Sequence, residues 1–119
     1  MVSATTIDMV AQATSVAPAE LPRLGELPER FTVSVTRLDI AYGIKESGNH
    51  CPIACAVRRA FEALGVTIIT LDVDDTNCDV LLPQTEQWVA YHHDARTFIR
   101  LFDSEERVMP RAVTLWRAA

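Results

Sequence analysis

From Phe31 onward the chain becomes periodic. "FTVSVTR" alternates apolar Phe31, Val33 and Val35 with polar Thr32, Ser34 and Thr36, and this period of two, rich in β-branched residues, predicts a half-buried strand. "RLDIAYGI" predicts a short helical turn closed by Gly43, and "KESGN" a loop that delivers the chain to His50. In "PIACAVRRAFEALG" the apolar residues Ile53, Val57, Ala60, Phe61 and Leu64 recur at spacings of three and four. Pro52 stands where a first-turn proline is tolerated and Gly65 where a C-terminal glycine belongs, so a helix is expected between them, with Arg58, Arg59 and Glu62 on its solvated side.

"VTIITLDV" predicts a second strand, "DDTN" a turn and "CDVLL" the returning strand of a hairpin. Pro83 breaks that strand, and "EQWVAYHH" resumes an extended pattern, either as the same strand past a bulge or as a separate one. "DARTFIRLF" puts Ala95, Phe98, Ile99 and Phe102 on one helical face, and "RAVTLW" closes the chain as a strand with Val113 and Leu115 on one face. The order β-α-β-β-α-β predicts an α+β fold: a small two-layer sandwich of the ferredoxin-like or a related kind, its sheet largely antiparallel and both helices on one face. A separate strand at Trp88–His93 would give five strands and two helices instead.

Residues 1–30 follow neither period. They are rich in Ala, Ser and Thr and are interrupted by Pro18, Pro22 and Pro28, which predicts a mobile N-terminal arm ahead of a single domain over 31–119. Ile7, Met9 and Val10 give that arm a short apolar stripe suited to ordering on a partner.

Composition narrows the function more than the fold. With 119 residues, 49% hydrophobic and 23% charged, the chain has the makeup of one ordinary globular core. A net charge of −5 argues against direct nucleic-acid binding and favours a basic partner. There is no basic residue before Arg23, and no apolar run approaches the roughly 18 residues of a membrane span, so a cytoplasmic protein is expected. The odd set of Cys51, Cys55 and Cys78 fits reduced thiols in that compartment.

"HCPIAC" is the one stretch with candidate chemistry. With Ile53 central to the buried stripe, about 100° per residue turns Cys55 toward Arg58, Arg59 and Glu62, while Cys51 falls near the N-cap. A zinc site built on His50, Cys51 and Cys55 would still need Cys78, His92 or His93 from elsewhere, and no second ligand pair with zinc spacing exists. A reactive thiol is the other option: the helix dipole would lower the Cys51 pKa, but no acyl-transfer signature accompanies it. The simplest reading is an N-cap that tucks Cys51 against the sheet, so no catalytic, cofactor or metal residue is assigned.

Elsewhere the run Asp72, Asp74, Asp75 and Asp79 lacks the glycine and closing glutamate of a calcium loop and reads as a solvated hairpin turn. His92 and His93 read as loop residues before the second helix, with Asp94 placed to cap it.

At "TRLDIAYGIKESGNHCPIACAVRRA", with "FIRLFD" and the proline-led "PRAVTLW" after it, the chain resembles small uncharacterised proteins of actinobacteria and their bacteriophages. Ile40, Gly43, Cys51, Pro52, Ile53, Ala54, Ala56, Phe102 and Asp103 carry the resemblance, which spans roughly residues 33–117. It implies a small cytoplasmic α+β protein and carries over no catalytic residue; Cys55 and the longer N-terminal arm depart from it. The leading expectation is an accessory protein, phage-encoded by that resemblance, that binds a host or self-encoded macromolecule, with a protein partner, no membrane and a homodimer left open. The alternatives are a thiol- or metal-dependent enzyme centred on His50, Cys51 and Pro52, and an acidic nucleic-acid mimic for which −5 is a mild charge.

Overall fold

In the computed structural model, which describes residues 27–83 and 87–118, the elements run β1 (Arg30–Val35), α1 (Arg37–Tyr42), α2 (Pro52–Ala63), β2 (Thr70–Val73), β3 (Asn77–Leu81), β4 (Trp88–His93), α3 (Arg96–Asp103) and β5 (Arg111–Arg117). The five strands form one sheet in the order β1-β5-β4-β3-β2, and every neighbouring pair is antiparallel. The fold is α+β. Trp88–His93 is a strand of its own, and the short helical turn predicted at "RLDIAY" is the six-residue α1, so the described residues hold five strands and three helices.

The ferredoxin-like order is not the one observed. A split βαβ unit sets helix-linked strands parallel, whereas here β4 and β5, linked by α3, are antiparallel neighbours. The cause is local: α3 has 8 residues and leads away from the end of β4, and residues 104–110 bring the chain back to that same end. The connection through α1 and α2 instead carries the chain from one edge of the sheet, β1, to the other, β2.

The register gives the sheet two unlike faces. Phe31 opposite Leu115, Val33 opposite Val113, Val80 opposite Val89 and Cys78 opposite Tyr91 share the face that the helices cover. Phe31 lies between Phe61 of α2 and Tyr91 of β4, with ring centroids 5.4 Å and 5.2 Å away. The Tyr91 hydroxyl donates to the Pro28 carbonyl at 2.8 Å, and burial, opposed by Arg117, pushes its pKa up to about 12. Leu27 is buried and Arg30 opens β1, so residues 27–30 belong to the domain, not to the predicted arm; residues 1–26 lie outside the described residues.

In α2 the stripe of Ile53, Val57 and Phe61 is buried as its spacing predicts. Leu64 is exposed, because it caps the helix; the chain then turns through Gly65 at φ +77°, and Val66 enters the core in its place. The start of α2 packs against the end of α1. A Cβ on Gly43 would meet Pro52 Cδ at 2.6 Å, so only glycine permits this approach.

Arg59 is not a free surface side chain. It donates to both carboxylate oxygens of Asp39, at 2.7 Å and 2.9 Å, and to the Ser34 carbonyl at 2.8 Å. Asp39 is itself buried and forms a capping box with Thr36 at the start of α1. One guanidinium thus ties α2 to α1 and to the edge strand β1.

Phe61→Ala should cost about 3–5 kcal/mol in denaturant unfolding, as truncation of a buried aromatic does. Arg59→Ala should cost about 1–3 kcal/mol, well above the roughly 0.5 kcal/mol of an exposed position, because it removes partners from a buried carboxylate and an edge carbonyl. Burial pulls the Asp39 carboxyl upward, but the Arg59 and Thr36 hydrogen bonds outweigh it and the net shift is downward. Its contribution to stability should therefore be complete above about pH 4 and be lost as pH falls through the depressed folded value. Asp39→Asn should be less stable at neutral pH and lose less on acidification; an acid limb equal to that of the unaltered chain would contradict this.

Candidate functional site

The start of α2 is built by Cys51. Its backbone is extended at φ −69° and ψ 166°, its Sγ accepts from the Ala54 N–H at 3.5 Å, and its carbonyl accepts from the Cys55 N–H at 3.0 Å. It is a helix N-cap only 5% exposed. Burial raises the Cys51 thiol pKa and the Ala54 and Ile53 N–H groups offset it only in part, which reverses the lowered value expected from the helix dipole. Cys55 is partly exposed, as its helical phase predicts; its thiol donates to the His50 carbonyl at 3.8 Å, and burial again raises its pKa. Cys78 lies in the core, where burial pushes its thiol up to about 12. All three thiols are free.

The remaining predicted ligands are scattered. His50 is exposed beside the helix start. His92 and His93 are strand residues, not loop residues, so they point to opposite faces of the sheet. His93 is buried, with Nε2 2.7 Å from the Asp74 carbonyl and Nδ1 3.0 Å from the Ala95 N–H, partners that assign the proton to Nε2. Asp94 does not cap α3. Its Oδ1 accepts from the Thr114 N–H at 3.0 Å and pairs with Arg111 at 3.3 Å, which ties the start of β5 to the end of β4. No cluster of three or more His, Cys, Asp or Glu side chains arranged to hold a metal exists among the described residues.

Of the acidic run, Asp74 accepts from the Thr76 and Asn77 N–H groups at 2.9 Å and 2.7 Å, which makes the hairpin turn expected of it. Asp75 pairs with Arg100 at 3.1 Å. Together with Glu46, Asp72 and Asp103 they border a cleft of about 480 Å³ with Cys51 on its wall.

The open face of the sheet carries exposed aromatics. Trp88, Ala90 and His92 of β4 point outward, as do Ala112, Thr114 and Trp116 of β5, beside Leu81 and Asp79 of β3. Trp88 is 52% and Trp116 38% exposed. The Trp116 ring lies 5.9 Å from His92, whose Nδ1 is 3.0 Å from Asn77 Oδ1. On the side of Trp116 away from Trp88, the Thr32 and Thr114 hydroxyls lie 3.2 Å apart. Asp79 and Asp72 face each other across β3 and β2 on this side, and burial together with Asp74 and Asp72 raises the Asp79 pKa. Strict alternation around Val89 and Tyr91, and around Val113 and Leu115, is the signal that places both tryptophans outward once β4 is taken as a strand.

The chain matches no protein-family model, no curated protein and no solved structure. No helix among the described residues is long and apolar enough to cross a membrane.

Alkylation with iodoacetamide at neutral pH, followed by mass spectrometry, should modify Cys55 first and leave Cys51 and Cys78 protected until the chain unfolds. Rapid, selective labelling of Cys51 would contradict the buried N-cap. Cys51→Ala should cost about 1 kcal/mol through loss of the cap, and Cys51→Ser clearly less, because serine caps as well.

Proposed function

We propose that the protein is a binding module whose open sheet face takes a basic, partly apolar segment of a protein partner. The observation that carries this reading is the pair of exposed tryptophans on an uncovered face, with Asp72 and Asp79 beside them. Exposed aromatic surface on a soluble domain is costly to keep in water and marks interaction sites. Indole faces attract guanidinium and ammonium groups by about 0.5–1 kcal/mol at exposed sites, and the carboxylates add long-range attraction for the same cations.

Outward aromatics on an antiparallel sheet can also stack nucleic-acid bases, but that mode depends on a basic surround to hold the phosphates. Here the carboxylates and the net charge of −5 oppose phosphate. A thiol enzyme at the start of α2 is supported less well, since its cysteine is buried and its pKa raised.

Isothermal titration with a synthetic peptide alternating arginine and leucine should show binding that weakens with salt. Trp116→Ala should lower that affinity about tenfold, equivalent to roughly 1.4 kcal/mol. A glutamate-substituted peptide and a single-stranded oligothymidylate should not bind. Binding of the oligonucleotide, or peptide binding indifferent to Trp116→Ala, would overturn the reading.

A further inference from the structure

The register of the open face leaves one recess beside Trp88. Outward on β4 stand Trp88, Ala90 and His92, and successive outward residues of a strand lie about 7 Å apart. Ala90, half-buried, is thus a single methyl group between an indole and an imidazole. Past the end of β5 its neighbour is Ala118, small again, whose N–H donates to the Ala90 carbonyl at 3.0 Å. On the other side Ala90 faces Asp79 of β3, which stands diagonal to Trp88 and within reach of an aromatic ring.

The carboxylate at the edge of this recess selects what fits. Asp79 stands directly opposite Asp72 of β2, an arrangement in which like charges repel, and neither side chain has a hydrogen bond or ion pair among the described residues. A cation is therefore the complement. Of the two cationic side chains, an ammonium is a compact, strongly hydrated point charge, whereas a guanidinium is planar and more weakly hydrated. Its face stacks on an indole while two parallel N–H groups on its edge donate to one carboxylate. Trp88 and Asp79, set diagonally across a floor of one methyl, offer both at once.

We infer that the recess over Ala90 seats an arginine side chain of the partner, its guanidinium stacked on Trp88 and donating to Asp79. The inference rests on the binding reading given above and adds the side chain that the face selects. Trp116, two strands from Asp79, contributes contact to either basic side chain without distinguishing them.

Isothermal titration of the full chain with the alternating arginine–leucine peptide, and with a lysine–leucine peptide of the same length and charge, tests the seat. The arginine peptide should bind about tenfold more tightly. Asp79→Asn removes the acceptor and Ala90→Leu fills the recess, and each should bring the two affinities to within about twofold. Asp75→Asn, which removes a charge that pairs with Arg100 of α3, should preserve the preference, and circular dichroism should show every variant folded. Equal affinities on the unaltered chain, or a preference that survives both Asp79→Asn and Ala90→Leu, would overturn the inference. In that event a loss of affinity for both peptides on Trp116→Ala still upholds the binding face, whereas failure of both peptides to bind overturns face and seat together.

Discussion

Among the described residues only one face of the five-stranded sheet is covered, and the identity of most strand residues follows from that. Helices α2 and α3 supply Phe61, Ile53, Phe98 and Ile99 to a single core, and each strand answers with alternate apolar side chains. Because successive strand residues point to opposite faces, the alternate positions are left to water. At most of them the sequence places Thr, Ser, Asp, Asn or Ala, as solvation asks. Trp88, Trp116 and the partly buried Leu81 beside Trp88 are the apolar departures, and the binding proposal rests on the two tryptophans.

Both edge strands have backbone groups that are already engaged. An edge strand presents unpaired backbone groups that invite another strand. On β1 the Ser34 carbonyl is occupied by Arg59, which Asp39 holds in place; on β2 the Val73 N–H donates to the Gly48 carbonyl at 2.8 Å. Gly48 lets the 46–50 loop pass close over β2; a Cβ there would lie 1.9 Å from Asp72 Oδ1 and would displace that carboxylate. The same loop meets the end of α3, where the Asp103 carboxylate accepts from the Glu46 N–H at 2.8 Å and Lys45 pairs with Glu105. The segment between α1 and α2 thus engages the β2 edge and ties it to the end of α3.

What could be read in the sequence was whatever depends on short-range periodicity. β1, α2, the β2–β3 hairpin, α3 and β5 each announce themselves by alternation or by spacings of three and four. Strand order does not, because β1 pairs with a strand some 80 residues later, Arg30 opposite Trp116, and no local pattern encodes that choice. Arg59 is exposed, as its helical phase predicts, but its ion pair was not legible for a related reason: the buried carboxylate that receives it lies on α1. The capping-box pattern of Thr36 and Asp39 was legible in "TRLD" and would have fixed that helix start. At Cys51 both the N-cap and its burial against the sheet were the simplest reading of "HCPIAC", and that burial decides the direction of the pKa shift. The open face was hidden only by the ambiguity of "EQWVAYHH"; with β4 as a strand, both tryptophans fall on one side.

The central claim is that this face, and not the cysteine-bearing start of α2, is where the protein meets its partner. Amide and indole chemical shifts of the isotope-labelled chain, followed as the arginine–leucine peptide is added, test it most directly. The account predicts that the indole N–H signals of Trp88 and Trp116 and the amides of Ala90, Ala112 and Thr114 move together, while those of Cys51 through Val57 stay still. Shifts centred on Cys51, Cys55 and the cleft beside them, with both indoles unmoved, would contradict it.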